Sequence, residues 1–143
     1  NCQLAIRGLR TLDSRLKEHQ KNAHEIFLYL QTKQCIKKIL YLPDKDNKYF
    51  GLWKKYFHCS NGLITFAIEK KGSIEKFLDP LHFFKIGFSW GGYESLILPL
   101  NQIKPGIKNY NNSYFWFRIH VGLESANDLK KDLDKGFKSY ETK

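Results

Sequence analysis

The first thirty residues carry the pattern that most constrains how this chain can fold. From Arg7 to about Gln31, apolar residues recur mostly at steps of three and four, the period of an α-helix. The residues that keep this period are Leu9, Leu12, Leu16, Ala23, Ile26, Phe27 and Leu30. A helix over 7–31 is about 37 Å long, which is long for a domain of this size. We therefore expect part of it to pack against something outside this chain.

The rest of the sequence alternates between strand and helix patterns. Apolar or alternating runs predict strands over 35–43, 63–69, 84–92, 94–100 and 114–124. A short helix is expected over 73–84, and residues 44–62 are predicted to be a polar connection rich in aromatic side chains. This order predicts an α/β fold: a two-layer sandwich of about four mainly antiparallel strands with helices on one face, preceded by the long helix.

The C-terminal segment has clear helix signals. Ser125 and Asp128 form the S-x-x-D pattern of a capping box, which predicts a helix start. Leu129, Leu133 and Phe137 then supply an apolar stripe at i, i+4 and i+8. A final helix that packs through this stripe is therefore expected.

The chain is basic, with a net charge of +10. Clustered Lys and Arg would suggest a nucleic-acid partner, since they neutralise phosphates and release counterions. Only four of the 24 basic residues are Arg, however, and the lysines are scattered, often as pairs that fit solvated faces. The pattern favours a protein without a nucleic-acid partner. A basic anion- or nucleic-acid-binding module without catalysis is the alternative from another class.

Compartment and domain organisation are indicated by what the sequence lacks. No run approaches the ~20 apolar residues of a membrane span, and the first residues lack the features of a signal peptide. Cys2, Cys35 and Cys59 form no CxxC pair, which favours half-buried thiols in a reducing cytoplasm. No methionine and no long linker is present, so we expect residues 1–143 to be one domain of a longer protein, with the sandwich over 35–143.

Arg118 is the first of two candidate functional sites. It is the only arginine after residue 15, and it lies in the middle of an aromatic strand, where an unpaired cation is costly to bury. Alternation places it on the face opposite Phe117 and Ile119. Its planar fork can bind a carboxylate or a phosphate in a bidentate way. The alternative is a structural ion pair with Glu94 or Glu124.

The second candidate site is the stretch GFSWGGYES, residues 87–95. Two adjacent glycines weaken a strand unless the chain turns sharply, adopts a positive φ or admits a close approach. A bend there would display the Ser89 hydroxyl, backbone N–H groups and the Trp90 ring together. The alternative is a β-bulge with a packing tryptophan.

Other chemistries have weaker signals. The glycine fingerprints of Rossmann and P-loop nucleotide sites are absent, and GFSWGG departs from the GxSxG pattern of a nucleophile elbow. The five histidines lack the spacing of metal ligands. We therefore expect no metal site.

Three separated blocks match a known family, in the same order. They are LAIRGLRTLDSRL over 4–16, SWGGYESL over 89–96 and RIHVGLESANDLKKDLDKGF over 118–137. The chain resembles the C-terminal part of the Cys/Met-metabolism enzymes that depend on pyridoxal phosphate, and the resemblance covers nearly all of its length. It implies the small C-terminal domain of an aminotransferase-like fold. The helix over 7–31 would bridge from a large cofactor-binding domain upstream.

The resemblance also implies roles for the two candidate sites. In this family the arginine of the R-I-H-x-G-L-E strand binds the α-carboxylate of the substrate, which carries over to Arg118. The serine of the Ser-Trp-Gly-Gly turn helps to hold that carboxylate, and the tryptophan borders the substrate pocket, which carries over to Ser89 and Trp90. Related γ-lyases and γ-synthases usually have Leu at the tryptophan position. Trp90 therefore favours the β-lyase branch, which cleaves cystathionine to homocysteine, pyruvate and ammonia in methionine biosynthesis.

For the intact enzyme, the resemblance implies pyridoxal 5'-phosphate as the cofactor, cystathionine as the substrate and a homotetramer. The Schiff-base lysine of the family lies upstream of the RGLRTL block. This chain is therefore expected to hold no catalytic and no cofactor-binding residue, and to be inactive alone. A cystathionine γ-lyase or γ-synthase is the alternative within the family.

Overall fold

A computed structural model describes residues 2–100 and 113–142. The helices in these residues are α1 (Cys2–Arg10), α2 (Leu12–Gln31), α3 (Phe50–Tyr56), α4 (Glu75–Leu78) and α5 (Ala126–Glu141). The strands are β1 (Ile36–Leu40), β2 (Leu63–Glu69), β3 (Lys85–Ile86), β4 (Leu96–Pro99) and β5 (Tyr114–His120).

The five strands form one sheet in the order β1-β2-β5-β4-β3. Neighbouring strands are antiparallel except β3 and β4, which are parallel. The predicted α/β sandwich with mainly antiparallel strands is confirmed, with five strands in the described residues where about four were expected. The edge strand β3 has only two residues. It is shorter than the predicted stretch 84–92 because the chain leaves the sheet after Ile86 and forms a loop over residues 87–94.

The helix expected over 7–31 starts earlier and is interrupted at Thr11. This residue has φ −105° and ψ 4°, and its hydroxyl lies 3.3 Å from the carbonyl oxygen of Gly8. A hydroxyl that donates to a carbonyl of the preceding turn competes with helical bonding and bends a helix. Arg15 donates to the same carbonyl oxygen at 2.9 Å. The prediction of one continuous helix is therefore corrected to two helices joined at Thr11.

The two N-terminal helices differ in what they bury. From α2, the side chains of Ala23, Ile26 and Leu30 are fully buried in the core. In α1 no residue is buried, and Leu4 and Leu9 are 70% and 69% exposed. Within the described part of the chain nothing covers these apolar side chains. That they pack against something outside the chain stays a prediction.

The core lies on one face of the sheet. Phe66 of β2 and Phe117 of β5 stack with ring centroids 5.3 Å apart. Phe77 of α4 lies 4.9 Å from Phe117 and 5.0 Å from Phe137 of α5. Each of these rings is at most 3% exposed, and burial of such a side chain contributes about 2 kcal/mol. The helices α2 and α5 share this cluster, so both pack on the face that carries it.

The opposite face of β5 is also largely covered. Arg118 is half-buried, whereas Trp116 and His120, which alternate with it, are 5% and 2% exposed. His120 is covered by His19 of α2, with 4.9 Å between the ring centroids, and by the backbone at Gly62. The alternation of β5 therefore indicates the face that each residue occupies, but not what covers that face.

Two local predictions need correction. Ser125 is the N-cap of α5, but its side chain makes no capping hydrogen bond, because the Asp128 N–H donates to the Ser125 carbonyl oxygen instead, at 3.0 Å. Residues 44–62 contain α3, which buries no residue and so leaves no apolar period to detect. The stripe of α5 is confirmed as buried, and it consists of Leu129, Leu133 and Phe137.

The three cysteines are free, and only Cys35 is half-buried; Cys2 and Cys59 are exposed. Burial raises the pKa of the Cys35 thiol to about 11. Over residues 2–100 and 113–142, no group of His, Cys, Asp or Glu side chains is placed to hold a metal ion. None of the helices in those ranges is long and apolar enough to cross a membrane.

Candidate functional site

Arg118 lies in the middle of β5, opposite Thr65 on β2 and Leu98 on β4. Its Nη2 donates to the carbonyl oxygen of Phe88 at 2.6 Å and approaches that of Ser89 at 3.5 Å. The central carbon of the guanidinium lies 5.7 Å from the centre of the Phe88 ring. The strand therefore directs this side chain to the β3–β4 loop, residues 87–94.

The structural ion pair considered for Arg118 is not formed. Glu124 instead accepts two hydrogen bonds from Ser95, one from the backbone N–H and one from the hydroxyl, both at 2.8 Å. Glu94 is exposed, and no described carboxylate lies within salt-bridge distance of Arg118. The Nε atom of Arg118 is buried and has no partner among the described residues. Arg118 thus has no described carboxylate to balance its charge and one donor without a described partner. A planar guanidinium of this kind can bind a carboxylate in a bidentate way.

The β3–β4 loop is a turn, not a bulged strand. Gly91 has a φ of +82°, in the left-handed region that favours glycine. Ser89 and Trp90 are exposed, Trp90 by 59%. Ser89 faces Arg118 with its carbonyl oxygen, and among the described residues no hydrogen bond or ring contact joins Trp90 to Arg118. The structure therefore brings Ser89 and Arg118 together and places Trp90 beside them along the chain.

Three side chains that the sequence patterns did not single out hold this loop. Arg15 of α2 donates to the Gly91 carbonyl oxygen at 3.1 Å, and the Gly91 N–H donates to Nε2 of His120 at 3.1 Å. Ser95 accepts from the Gly122 N–H at 2.8 Å through its hydroxyl oxygen. Each of the three lies in a different one of the sequence blocks that carry the family resemblance. The three blocks meet at this loop in the folded chain. Membership of a block is therefore the sequence signal that could have identified Arg15, Ser95 and His120.

His120 is an ionisable side chain in contact with the loop. Burial lowers the pKa of His120 from its ordinary value of 6.5, and the nearby His19 and Arg118 act in the same direction. The carbonyl of Gly92 and the carboxylate of Glu124 oppose this shift. At neutral pH the ring is therefore uncharged, so one of its nitrogens is free to accept a hydrogen bond.

A cavity of about 760 Å³ lies beside Arg118. Its wall includes Tyr41, Trp53 and Thr65 as well as Arg118. This volume is within the range of ligand pockets, which are mostly apolar and aromatic with a few polar groups. Arg118 thus borders both the β3–β4 loop and a cavity with aromatic walls.

The model of the family described as Cys/Met metabolism PLP-dependent enzyme matches residues 1–138. This chain belongs to that family. An L-alanine/L-glutamate racemase of Wolbachia pipientis wMel is 39% identical to it over 139 residues, which cover 94% of this chain and 34% of the relative. The cystathionine beta-lyase MetC of Escherichia coli (strain K12) is 35% identical over 143 residues, which cover 94% of this chain and 36% of the relative.

Solved structures of the family have the same fold. The crystal structure of cystathionine gamma synthase from Xanthomonas oryzae pv. oryzae in complex with cystathionine superposes with a TM-score of 0.86 at 28% identity. The match covers 96% of this chain and 38% of that one. The chain therefore spans about a third of the length of the relatives that it matches.

Members of the family depend on pyridoxal phosphate. A lysine that forms a Schiff base needs an environment that removes its proton, as burial does. No lysine in the described residues is buried; Lys33 and Lys130 are half-buried, and they pair with Asp134 at 2.6 Å and with Glu25 at 2.9 Å. The described residues therefore offer no lysine of this kind.

Proposed function

We propose that this chain is the substrate-binding C-terminal domain of a pyridoxal-phosphate-dependent carbon–sulfur lyase of the cystathionine β-lyase type. A large domain upstream would hold the cofactor. The observation that carries the proposal is the state of Arg118, a half-buried guanidinium with no carboxylate partner and with one buried donor unused among the described residues. An amino-acid carboxylate would supply the missing partner.

The residues of this chain would bind and orient the substrate. Arg118 would bind the α-carboxylate, Ser89 would add a hydrogen bond to it, and Trp90 would border the pocket. Holding the carboxylate fixes the direction of the Cα–H bond, and positioning of this kind can supply several kcal/mol of barrier reduction, about 7–11 in the best-oriented cases.

Replacement of Arg118 by Lys in the natural gene product tests the carboxylate role. A point charge replaces a bidentate fork, so we expect KM for L-cystathionine to rise about tenfold or more, the effect of a lost charged hydrogen bond. Steady-state kinetics measures this, and Arg10→Lys, at an exposed position on α1, is the matched control. An unchanged kcat/KM in Arg118→Lys would remove Arg118 from the site.

The lyase type is supported by the relatives named cystathionine beta-lyase and by Trp90 in the Ser-Trp-Gly-Gly turn. A racemase is the second candidate, because the relative from Wolbachia pipientis wMel is 39% identical. Both reactions need the α-carboxylate to be held, but only the lyase breaks a carbon–sulfur bond.

Product analysis separates the candidates. The natural gene product is supplied with L-cystathionine and, separately, with L-alanine. Pyruvate from cystathionine is the expected result, whereas 2-oxobutyrate would indicate a γ-type enzyme. D-alanine without any cleavage of cystathionine would indicate the racemase.

A further inference from the structure

We propose that His120 is a positioning residue for the carboxylate site, and that its unprotonated Nε2 holds the β3–β4 loop in the geometry in which Ser89 and Trp90 face a ligand on Arg118. The proposal rests on the proposed function for the identity of the ligand. The contact between His120 and the loop stands independently of it.

One strand contacts the loop at two points. Arg118 and His120 lie two residues apart on the same face of β5, about 7 Å from each other along the strand. Arg118 binds the carbonyl oxygens of Phe88 and Ser89, and His120 binds Gly91, so the two contacts lie on either side of Trp90. If the second contact is lost, the turn on the far side of Trp90 is held more weakly, because among the described residues only the bonds from Arg15 to the Gly91 carbonyl and from the Leu123 N–H to the Tyr93 carbonyl remain there.

The contacts of Nε2 depend on whether this atom carries a proton. The Gly91 N–H, 3.1 Å away, can donate only to an unprotonated Nε2. The carbonyl oxygen of Gly92, 3.2 Å from the same atom, can accept only if Nε2 is protonated. The two hydrogen bonds therefore exclude each other. Protonation replaces the bond to Gly91 with one to Gly92 and forces the turn to move.

The ring is held in place from several sides. Its centroid lies 4.9 Å from that of His19, which is itself fixed by a hydrogen bond of 2.9 Å between its Nδ1 and the carbonyl oxygen of Val121. A Cβ atom added at Gly62 would lie 2.9 Å from Nδ1 of His120, so the ring packs directly on that backbone. His120 cannot follow a moving loop, and a changed hydrogen bond must be accommodated by the loop.

The charged and titratable groups around the ring come from three elements. They are His19 from α2, Arg118 from β5 and Glu124 from the segment after β5. Arg15 of α2 binds the far side of the turn, at the Gly91 carbonyl. Gly62, Gly91 and Gly92 present backbone atoms only. The pKa of His120 is lowered from 6.5, so the ring is uncharged above pH 6.5. With its one proton on Nδ1, the uncharged ring accepts from the Gly91 N–H, and this contact is lost as the pH falls through the pKa of the folded state.

The test measures hydrogen exchange by mass spectrometry in the natural gene product at two pH values, one about one unit above the ordinary imidazole pKa and one about one unit below the pKa of His120 in the folded protein, which NMR titration of the ring determines first. Protection factors, corrected for the pH dependence of intrinsic exchange, are compared for a peptide that contains Gly91. His120→Gln keeps an acceptor oxygen near the position of Nε2 and cannot be protonated, and His120→Leu removes the acceptor. The turn at residues 82–84, whose N–H groups donate to Asp132, is the internal control.

We expect protection of the Gly91 peptide in the wild type to fall about fivefold at the lower pH, the effect of one lost hydrogen bond. In His120→Gln it should stay constant across the two pH values, and the control turn should not change in either protein. Equal protection at both pH values in the wild type would overturn the proposal. If His120→Leu does not fold, the comparison of the wild type with His120→Gln still tests whether the loop contact depends on protonation of His120.

Binding of α-aminoisobutyrate, an amino acid without a Cα proton and therefore unreactive at that carbon, provides the second readout. Its affinity, measured by calorimetry, should weaken with acidification in the wild type in parallel with the loss of protection, and should not do so in His120→Gln. An affinity that weakens equally in both proteins would overturn the role of His120 at the carboxylate site. If the ligand does not bind at any pH while the exchange result holds, the proposed function fails and His120 retains its role in holding the loop.

Discussion

The two connections on either side of β3 are held in different ways. The turn that precedes the strand, at residues 82–84, is fixed by one side chain. The Asp132 carboxylate of α5, 1% exposed, accepts from the N–H groups of His82 and Phe83 at 2.8 Å and of Phe84 at 3.1 Å. The loop that follows the strand has no such single acceptor; Arg15, Arg118 and His120 each contribute one or two hydrogen bonds to it.

The first connection therefore has a structural role, whereas the second can respond to a ligand or to a change of pH. Each oxygen of Asp132 accepts from the turn, and the side chain lies inside the helix layer, where it has no access to a ligand. In the second loop, one of the contacts comes from the arginine proposed to bind the substrate and another from a histidine that titrates. A ligand or a change of pH can therefore alter the second connection and leave the first unchanged.

The largest effect is expected from Asp132→Ala. It would leave the three N–H groups of the turn before β3 without their acceptor, so we expect a loss of about 3 kcal/mol in the free energy of unfolding. Urea unfolding followed by circular dichroism measures it. The matched control is Asp132→Asn, which keeps one acceptor oxygen and should lose less. A loss in Asp132→Ala no larger than that of an ordinary surface substitution, within about 0.5 kcal/mol, would show that the first connection does not depend on this carboxylate.

A smaller effect is expected from Gly122→Ala, which acts on the second connection. An added Cβ would meet the carbonyl oxygen of Tyr93 and, at 2.5 Å, a carboxylate oxygen of Glu124, so the Ser95–Glu124 contact must shift. Overpacking of this kind costs about 2 kcal/mol. We also expect weaker binding of α-aminoisobutyrate, measured by calorimetry. Gly72→Ala, where nothing lies within 4 Å, is the control. Full ligand affinity in Gly122→Ala would show that the end of the loop is not coupled to the site.

Sequence periodicity predicted a helix or strand correctly where one face of that element is buried along its whole length. The strand predicted over 63–69 has the observed bounds of β2, and the stripe of α5 lies in the core as expected. The break at Thr11 could not be predicted, since it depends on a hydroxyl donating within α1 and on Arg15 donating to the same carbonyl. The strand predicted over 84–92 was longer than the observed β3, because the end of a strand depends on where its partner, here β4, stops pairing.

The sequence identified Arg118 as a candidate site residue but not the partner that it has in the folded chain. Arg118 stands out in the sequence because a guanidinium in an aromatic strand needs a partner, but spacing along the chain indicated Glu94 or Glu124 instead of the backbone of the β3–β4 loop. The register of β5 with β4 decides this contact, and that register is not visible in a single sequence. Glu124 pairs with Ser95, an arrangement that only the folded chain brings together.

The two adjacent glycines of the β3–β4 loop, Gly91 and Gly92, are expected to give the smallest change in the free energy of unfolding. Gly91 has φ +82°, whereas Gly92 has no positive φ, and an added Cβ would meet nothing within 4 Å at either residue. We therefore expect Gly91→Ala to lose about 1 kcal/mol through backbone strain alone, and Gly92→Ala to change the free energy of unfolding by less than about 0.5 kcal/mol. Urea unfolding and calorimetry with α-aminoisobutyrate measure both variants. Because the Gly91 N–H must stay in reach of His120, Gly91→Ala should also weaken the ligand, and Gly92→Ala should not. Equal effects at the two positions would mean that the conformation of Gly91 does not position the loop.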